Sequence, residues 1–192
     1  MTQKTSTMAG IAVAGLLAIL APAFAQNQGQ GKGGGTSQQD EKFAMNAAVG
    51  GMMEVEAGQL AAQKAVNQDV KSYGQRMVQD HSKANTQLMQ IASQKGMTLP
   101  KELPADKKQH RDMLTKASGA EFDRQYMAHM VKDHEKTVKD FETQAKSGND
   151  AALRAFAEQN LPILREHLEM ARTLATKVGA DTKGDHSGHS GH

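Results

Sequence analysis

The stretch YGQRMVQDH, from Tyr73 to His81, returns in a related form as YMAHMVKDH, from Tyr126 to His134. Both copies keep the tyrosine, the Met-Val pair and the final Asp-His pair at the same spacing. Since successive residues of an α-helix are turned by about 100°, the Tyr, Met and His of each copy share one side of the helix, and the Asp flanks it. Each copy therefore predicts an apolar helix with an imidazole on its inward side.

Glycine and proline divide the region around these copies into helices. Apolar residues recur at helical spacing over about 41–66, 69–95, 120–146 and 151–178, with a shorter helix near 105–116. Ser118 followed by Glu121 has the capping-box pattern, and Asp150 is a suitable N-cap for the last helix. The sequence predicts an all-α fold, an up-down bundle of four long helices with an extra short helix between the second and the third.

Polar groups fall on the inward faces of all four long helices. Glu54 lies near the middle of the first apolar face, His81 and His134 on the next two, and His167 on the last. An isolated buried charge is costly, so a carboxylate at this position is paired, protonated or metal-bound. Imidazole and carboxylate groups that meet inside a bundle commonly hold a metal ion. We predict a divalent metal site with the three histidines as ligands and Glu54 as a fourth ligand or a charge-balancing neighbour. Zinc, iron, manganese and copper are not distinguished by these residues.

Four neighbouring residues are predicted to support the site: Asp80, Asp133, Tyr73 and Tyr126. The same residues allow a second interpretation, in which a buried polar network sets the register of the helices without any ligand. The chain would then be a structural or stress-related envelope protein that binds an unknown protein partner. The sequence leaves open whether the two aspartates are ligands or hydrogen-bond supports.

Motifs for the familiar kinds of catalysis are missing. The sequence has no cysteine, no Gly-x-Ser-x-Gly elbow and no phosphate-binding glycine loop. It also lacks the Glu-x-x-His pairs of di-iron bundles. A non-catalytic role is therefore favoured, and a ferritin-like oxidoreductase is the least supported alternative.

The two ends of the chain differ from the helical region. Residues 1–25 combine a positive start, an apolar run and the small-x-small pattern AFA at positions 23–25, which predicts a cleaved signal peptide. Residues 26–40 are predicted to be a flexible linker, 41–178 the four-helix bundle domain and 179–192 a disordered tail rich in His, Gly and Ser. We therefore expect a periplasmic or extracellular protein.

Charge and hydropathy limit the kinds of partner that we expect for the mature chain. No later stretch is free of charges for the ~20 residues that a membrane helix needs, so we expect no transmembrane segment after cleavage. Association with the cell envelope would be peripheral. The net charge is only +2, with acids and bases interspersed, which argues against nucleic acid as a partner.

These residues resemble a known family. The resemblance is carried by FAMNAAVGGMMEVEAGQLA from Phe43, VKSYGQRMVQDHSKAN from Val70, EFDRQYMAHMVKDHEKTVKDFE from Glu121 and LPILREHLEMA from Leu161. They are similar to the bacterial family catalogued as domain of unknown function four-one-four-two, often labelled "predicted outer membrane protein". The resemblance covers about 43–178 and implies an envelope-localised, ferritin-like bundle of undetermined biochemistry. It places the four predicted ligands at the family's recurring polar positions.

Overall fold

The computed structural model of the protein describes residues 36–182. This part of the chain contains no β-strand and folds into the helices α1 (Gln38–Lys64), α2 (Gln68–Gln94), α3 (Ala105–Lys116), α4 (Gly119–Ser147) and α5 (Ala151–Val178). The all-α class is confirmed, as is the short helix between the second and third long ones. The predicted signal peptide, residues 26–35 of the predicted linker and the tail from residue 183 lie outside the described residues.

The long helices pair as two hairpins. Short turns join α1 to α2 and α4 to α5, so the members of each pair run antiparallel and pack along their length. The two hairpins contact each other less extensively, and α3 lies against α1 and α4 on the crossing between them. Within the described helices, none is long and apolar enough to span a bilayer.

One of the two predicted helix caps is correct. Oδ1 of Asp150 accepts hydrogen bonds from the backbone N–H groups of Ala152 and Leu153, both at 3.0 Å, and so begins α5. The capping box predicted at Ser118 is wrong, since its side chain makes no capping hydrogen bond. Glu121 instead accepts hydrogen bonds from side chains of its own helix, one turn further along.

A buried aspartate on α4 fastens the turn between α1 and α2. Asp123 is 2% exposed, and its carboxylate accepts hydrogen bonds from the backbone N–H groups of Val66 at 3.2 Å and Asn67 at 2.8 Å. These donors precede the first turn of α2, where the helix itself supplies no acceptor. The carboxylate thus ties the turn of one hairpin to the other hairpin.

A second buried aspartate plays the equivalent part at the opposite turn. Asp40 accepts hydrogen bonds from the side chain of Gln144 at 2.6 Å and from the backbone N–H groups of Asn149 and Asp150 at 3.1 and 3.2 Å. It also closes a capping box with Ser37, which starts α1 at Gln38, earlier than the predicted 41. Burial alone would raise the pKa of Asp40, but these hydrogen bonds outweigh it and lower the pKa.

Aromatic rings form two layers of the core. At one end Phe43 packs edge-on against Phe141, with ring centroids 5.0 Å apart, and at the other Tyr73 packs against Tyr126 at 6.2 Å. Because α4 carries Tyr126, His134 and Phe141 in that order, the inward histidines lie between the two layers.

Glycines let α1 and α2 approach closely. A Cβ atom on Gly58 would lie 2.6 Å from the carbonyl oxygen of Gly74, and one on Gly74 would lie 2.8 Å from the carbonyl oxygen of Gly58. Both distances are shorter than a van der Waals contact, so the backbones meet where no side chain fits.

Candidate metal centre

Three buried histidines from three helices form a nearly equilateral triangle. The ring centroids lie 5.7 Å apart for His81 and His134, 5.4 Å for His81 and His167, and 5.5 Å for His134 and His167. One ring nitrogen of each lies within 4.8 Å of those of the other two. The fold therefore brings together three of the four residues predicted as ligands.

Two contacts orient His167. Its Nε2 lies 2.8 Å from Oδ2 of Asp80, and Tyr73 donates a hydrogen bond to its backbone carbonyl at 3.3 Å. Because an ionised carboxylate can only accept, Nε2 carries the proton and Nδ1 keeps a free lone pair. That Nδ1 atom is buried and has no hydrogen-bond partner among the described residues.

His134 is oriented by its own helix. Its Nδ1 lies 3.0 Å from the carbonyl oxygen of Met130, an acceptor, so Nδ1 is the protonated nitrogen. Nε2 of His134 is then the atom with a lone pair, and like Nε2 of His81 it is buried without a partner in the described part of the chain. Each histidine of the triangle thus keeps one unsatisfied nitrogen inside the bundle.

The environment keeps these imidazoles neutral. Burial lowers the pKa of His81 to about 3, and repulsion from the neighbouring imidazoles acts in the same direction. Burial also lowers the pKa of His134 to about 4. The pKa of His167 is lowered by burial as well, although its hydrogen bond to Asp80 opposes the shift. Neutral imidazole is the form that binds a metal.

Glu54 lies beside the triangle but does not belong to the group of nitrogens. Its Oε1 is 3.8 Å from Nδ1 of His134, and the residue is 2% exposed. Burial raises the pKa of Glu54 well above its usual range, and the neighbouring Asp133 raises it further. Neither carboxylate oxygen of Glu54 meets a hydrogen-bond donor among the described side chains. A proton held between the two acids, or a cation nearby, would relieve this arrangement.

The remaining predicted supports differ in their contacts. Asp133 accepts a hydrogen bond from Thr137 at 3.4 Å. Tyr126 buries its hydroxyl without a described partner, and burial together with the charge of Glu54 raises its pKa. Asp80 and Tyr73 are therefore the two predicted supports that hold a histidine of the triangle.

An arginine outside the predicted site completes the surroundings of Asp80. Nε of Arg76 lies 3.3 Å from Oδ2 of Asp80, and its terminal nitrogens bind both carboxylate oxygens of Glu166 at 2.9 and 2.8 Å. Burial alone would raise the pKa of Asp80, but hydrogen bonds from His167 and Arg76 lower it. The signal in the sequence is the spacing of Arg76 and Asp80, which are neighbours on one helix face.

A cleft of about 1180 Å³ reaches the centre from the surface. Its inner end is lined by the three histidines and Glu54, and its outer end by exposed residues such as Met45. The centre is thus buried in the bundle and still connected to solvent.

The residues fit a divalent metal ion. Buried nitrogens without partners are costly, and each of the three converging histidines has one, with two acids close by. A triangle with edges of at most 4.8 Å has its centre at most about 2.8 Å from each corner, and bonds of about 2.0–2.1 Å to zinc lie within reach of small side-chain rotations. Imidazole suits zinc, copper, iron and nickel alike.

Solved structures share this fold at low sequence identity. A DUF305 protein from Streptomyces coelicolor, described as a secreted-protein candidate, is 14% identical, with a TM-score of 0.64 over 80% of this chain and 98% of its own. A DUF305 fragment from Deinococcus radiodurans is 15% identical, with a TM-score of 0.57 over 76% of this chain and 99% of its own.

A third similar structure is described as containing a ferritin-like domain. A two-domain protein from Anabaena variabilis with DJ-1/ThiJ/PfpI-like and ferritin-like domains is 14% identical, with a TM-score of 0.54 over 82% of this chain and 43% of its own. At these identities the likeness concerns the fold alone, which is ferritin-like.

Sequence comparison assigns the family. No curated protein matches the chain. The family model described as "Domain of unknown function (DUF4142)" matches residues 25–174, which is most of the chain and includes all three histidines of the triangle. The chain therefore belongs to the DUF4142 family, as its resemblance predicted.

Proposed function

We propose that this protein binds one divalent transition-metal ion through His81, His134 and His167. The observation that carries the proposal is that one ring nitrogen of each of the three buried histidines lies within 4.8 Å of those of the other two. Each of these rings also has a buried nitrogen without a hydrogen-bond partner in the described structure. An imidazole that has a purely structural role normally uses both nitrogens in hydrogen bonds.

The orientation of the rings supports the same role. Asp80 and the carbonyl of Met130 take the protons of His167 and His134 on the far sides of their rings. Such partners fix the tautomer of metal-binding histidines and direct the lone pair toward the ion. Glu54 is proposed as a fourth ligand or as the negative charge that balances the ion, and its raised pKa marks a site that favours a nearby cation.

Metal analysis tests the proposal. The full-length chain, purified without an affinity tag and with His186, His189 and His192 of the tail replaced by serine, is dialysed against zinc, manganese, ferrous iron or copper and analysed for bound metal. We expect about one equivalent of at least one metal, in line with a single site. The His81→Ala/His134→Ala variant should lose it, and His129→Ala, on α4 outside the triangle, should keep it. Equal, near-zero metal in all three proteins would refute the proposal.

A structural role is the second candidate, and one observation favours it. Arg76 links Asp80 on α2 to Glu166 on α5, so a polar network already joins the two hairpins without a ligand. The two candidates differ in their response to chelators. A metal that binds only the folded state at 100 times its Kd adds about 2.7 kcal/mol of stability. A chelator should then lower the melting temperature, whereas a structural network leaves it unchanged.

We also propose that the chain is exported by cleavage after residue 25. The sequence pattern of residues 1–25 supports this, together with the description of the similar Streptomyces coelicolor protein as a secreted-protein candidate. Intact mass spectrometry of the protein from cell fractions should find a periplasmic or extracellular form that begins at Gln26. A protein that keeps its first residues in the cytoplasmic fraction would contradict export.

A further inference from the structure

We infer that the cleft beside the histidines binds a small amphipathic molecule, with an oxygen-bearing head that coordinates the metal and an apolar body that lies along the cleft. This inference rests on the proposed function, because the ion is what binds the head. It goes further in naming the class of ligand that the centre accepts.

The composition of the cleft supports an apolar body. Its volume of about 1180 Å³ exceeds what an ion and its water would fill and is large for a small-molecule site. Its wall includes the rings of Phe43, Phe141 and Phe156 and the side chains of Ile163 and Leu164. Contact with such a wall favours hydrocarbon over a solvated polar group.

Two polar side chains of the wall are already engaged with other groups of the protein. Lys136 pairs with Asp140, and Asn160 donates a hydrogen bond to the carbonyl of Phe156 at 2.8 Å. The buried polar atoms without partners gather mainly at the inner end, on Glu54 and the three histidines. Oε1 of Gln144 is a further unpartnered atom in the lining, so a ligand that matches this distribution has most of its polar atoms at the inner end.

The number of protein ligands leaves room for the head. When Glu54 balances the charge of the ion and does not bind it, three imidazoles leave an open position on a tetrahedral ion, which in other zinc sites is taken by water or substrate. All three histidines line the cleft, so the open position is reached from it. A site of this kind can expand to five-coordinate, so a head with one or two oxygen atoms suits the ion.

Gly50 provides a way to block the cleft without touching the centre. It lines the cleft on α1, and a Cβ atom placed on it meets nothing within 4 Å. A larger side chain at this position therefore extends into open space, and it also replaces a glycine that weakens the helix. The variant Gly50→Leu should fold and should reduce the space for the ligand body.

The test uses the full-length chain with serine in place of the tail histidines, loaded with Co²⁺, and two probes with the same head: acetohydroxamate and octanohydroxamate. The visible absorption of the cobalt reports coordination of the head. We expect octanohydroxamate to bind about 100-fold more tightly, since each buried methylene adds about four-fold and only part of the chain is buried. In Gly50→Leu this preference should fall to about ten-fold or less, while Gln59→Leu, on the exposed side of the same helix, should keep it.

The outcomes separate the two proposals. If the protein with an unchanged centre takes up neither cobalt nor any of the four metals tested above, the proposed function fails and the ligand inference fails with it. If cobalt binds but neither hydroxamate alters its spectrum, or both bind equally, the inference is overturned and the metal site stands. A preference that Gly50→Leu leaves unchanged also overturns it, provided that circular dichroism and the probe-free cobalt spectrum show an intact fold and centre.

Discussion

His167 and Asp80 face each other across the boundary between the two hairpins, with Nε2 and Oδ2 only 2.8 Å apart. This contact joins α2 to α5, and it also fixes which nitrogen of His167 keeps its lone pair. Because the same Asp80 oxygen lies 3.3 Å from Nε of Arg76, the carboxylate stays ionised and remains an acceptor.

Removing this carboxylate should weaken the proposed metal site. We expect Asp80→Ala to lower zinc affinity by about 10- to 100-fold, the usual effect of losing a partner that orients a ligand. Glu166→Ala is the matched control, since Glu166 binds the same arginine but makes no hydrogen bond to the ring of His167. Competition titrations with a zinc chelator measure the zinc affinity of both variants. An equal loss in the two variants would assign the effect to Arg76 instead.

The metal-free protein should lose stability as the pH falls below neutral. The pKa values are about 3 for His81 and about 4 for His134 in the folded state, against about 6.5 in the unfolded chain. The unfolded chain therefore binds more protons between those values. Stability from these groups is fully present above about pH 6.5 and falls by up to about 3 kcal/mol per pH unit below it.

Urea unfolding with a chelator at pH 7.5, 6.5 and 5.5 measures this dependence. His81→Leu has one titrating group fewer and should show a shallower slope. A free energy of unfolding that stays constant from pH 7.5 to 5.5 would mean that the histidines are protonated in the folded state.

Glu54→Gln should have opposite effects with and without metal. The pKa of Glu54 is raised, so its contribution to stability is present at low pH and is lost as the pH rises through the folded pKa. At pH 8 the buried carboxylate of Glu54 lowers the stability of the folded state, and the neutral amide of glutamine does not. We therefore expect the metal-free variant to gain about 1 kcal/mol at pH 8. Metal affinity should fall, because a balancing negative charge is lost. Glu56 pairs with Arg111 at the surface, so Glu56→Gln should change neither the stability of the metal-free protein nor the metal affinity.

Replacing a glycine of α1 or α2 with alanine should change the stability in a direction that depends on the position. In Gly58→Ala and Gly74→Ala the new methyl group meets backbone or Cβ atoms at 2.6–2.8 Å, and we expect losses of about 1–3 kcal/mol. Gly50→Ala meets nothing and should gain about 0.5–1 kcal/mol from the better helix former. Thermal unfolding followed by circular dichroism compares the three, and a gain in all of them would contradict the close approach of α1 and α2.

Asp123→Ala should be among the more damaging single changes outside the metal centre. It leaves two backbone N–H groups just before α2 without an acceptor, each costing about 1–3 kcal/mol when buried. Asp112→Ala removes a surface pair with Arg111 and should cost less than about 1 kcal/mol. Denaturant midpoints measured at one pH give the difference directly, and similar values for the two variants would show that water replaces the carboxylate.

Local patterns sufficed to find the helices, because each helix depends on neighbours in sequence. The period of apolar residues, the glycines and the cap at Asp150 gave bounds close to those of all five helices. At Ser118 the local pattern misled, since Glu121 has side-chain partners further along its own helix. Asp40 was placed in the predicted linker, and no local pattern marks the turn that it binds between α4 and α5.

What the sequence determined by itself is the set of inward groups: periodicity alone puts His81, His134, His167 and Glu54 on apolar faces, where each needs a partner. The tertiary structure decided how they are used. It brought the three histidines within 4.8 Å of one another and left Glu54 beside them. It also paired Asp80 with His167, which are far apart in the chain. The packing of the helices formed the cleft as well. Helical period sets the direction of a side chain, whereas distances across a bundle depend on how whole helices pack.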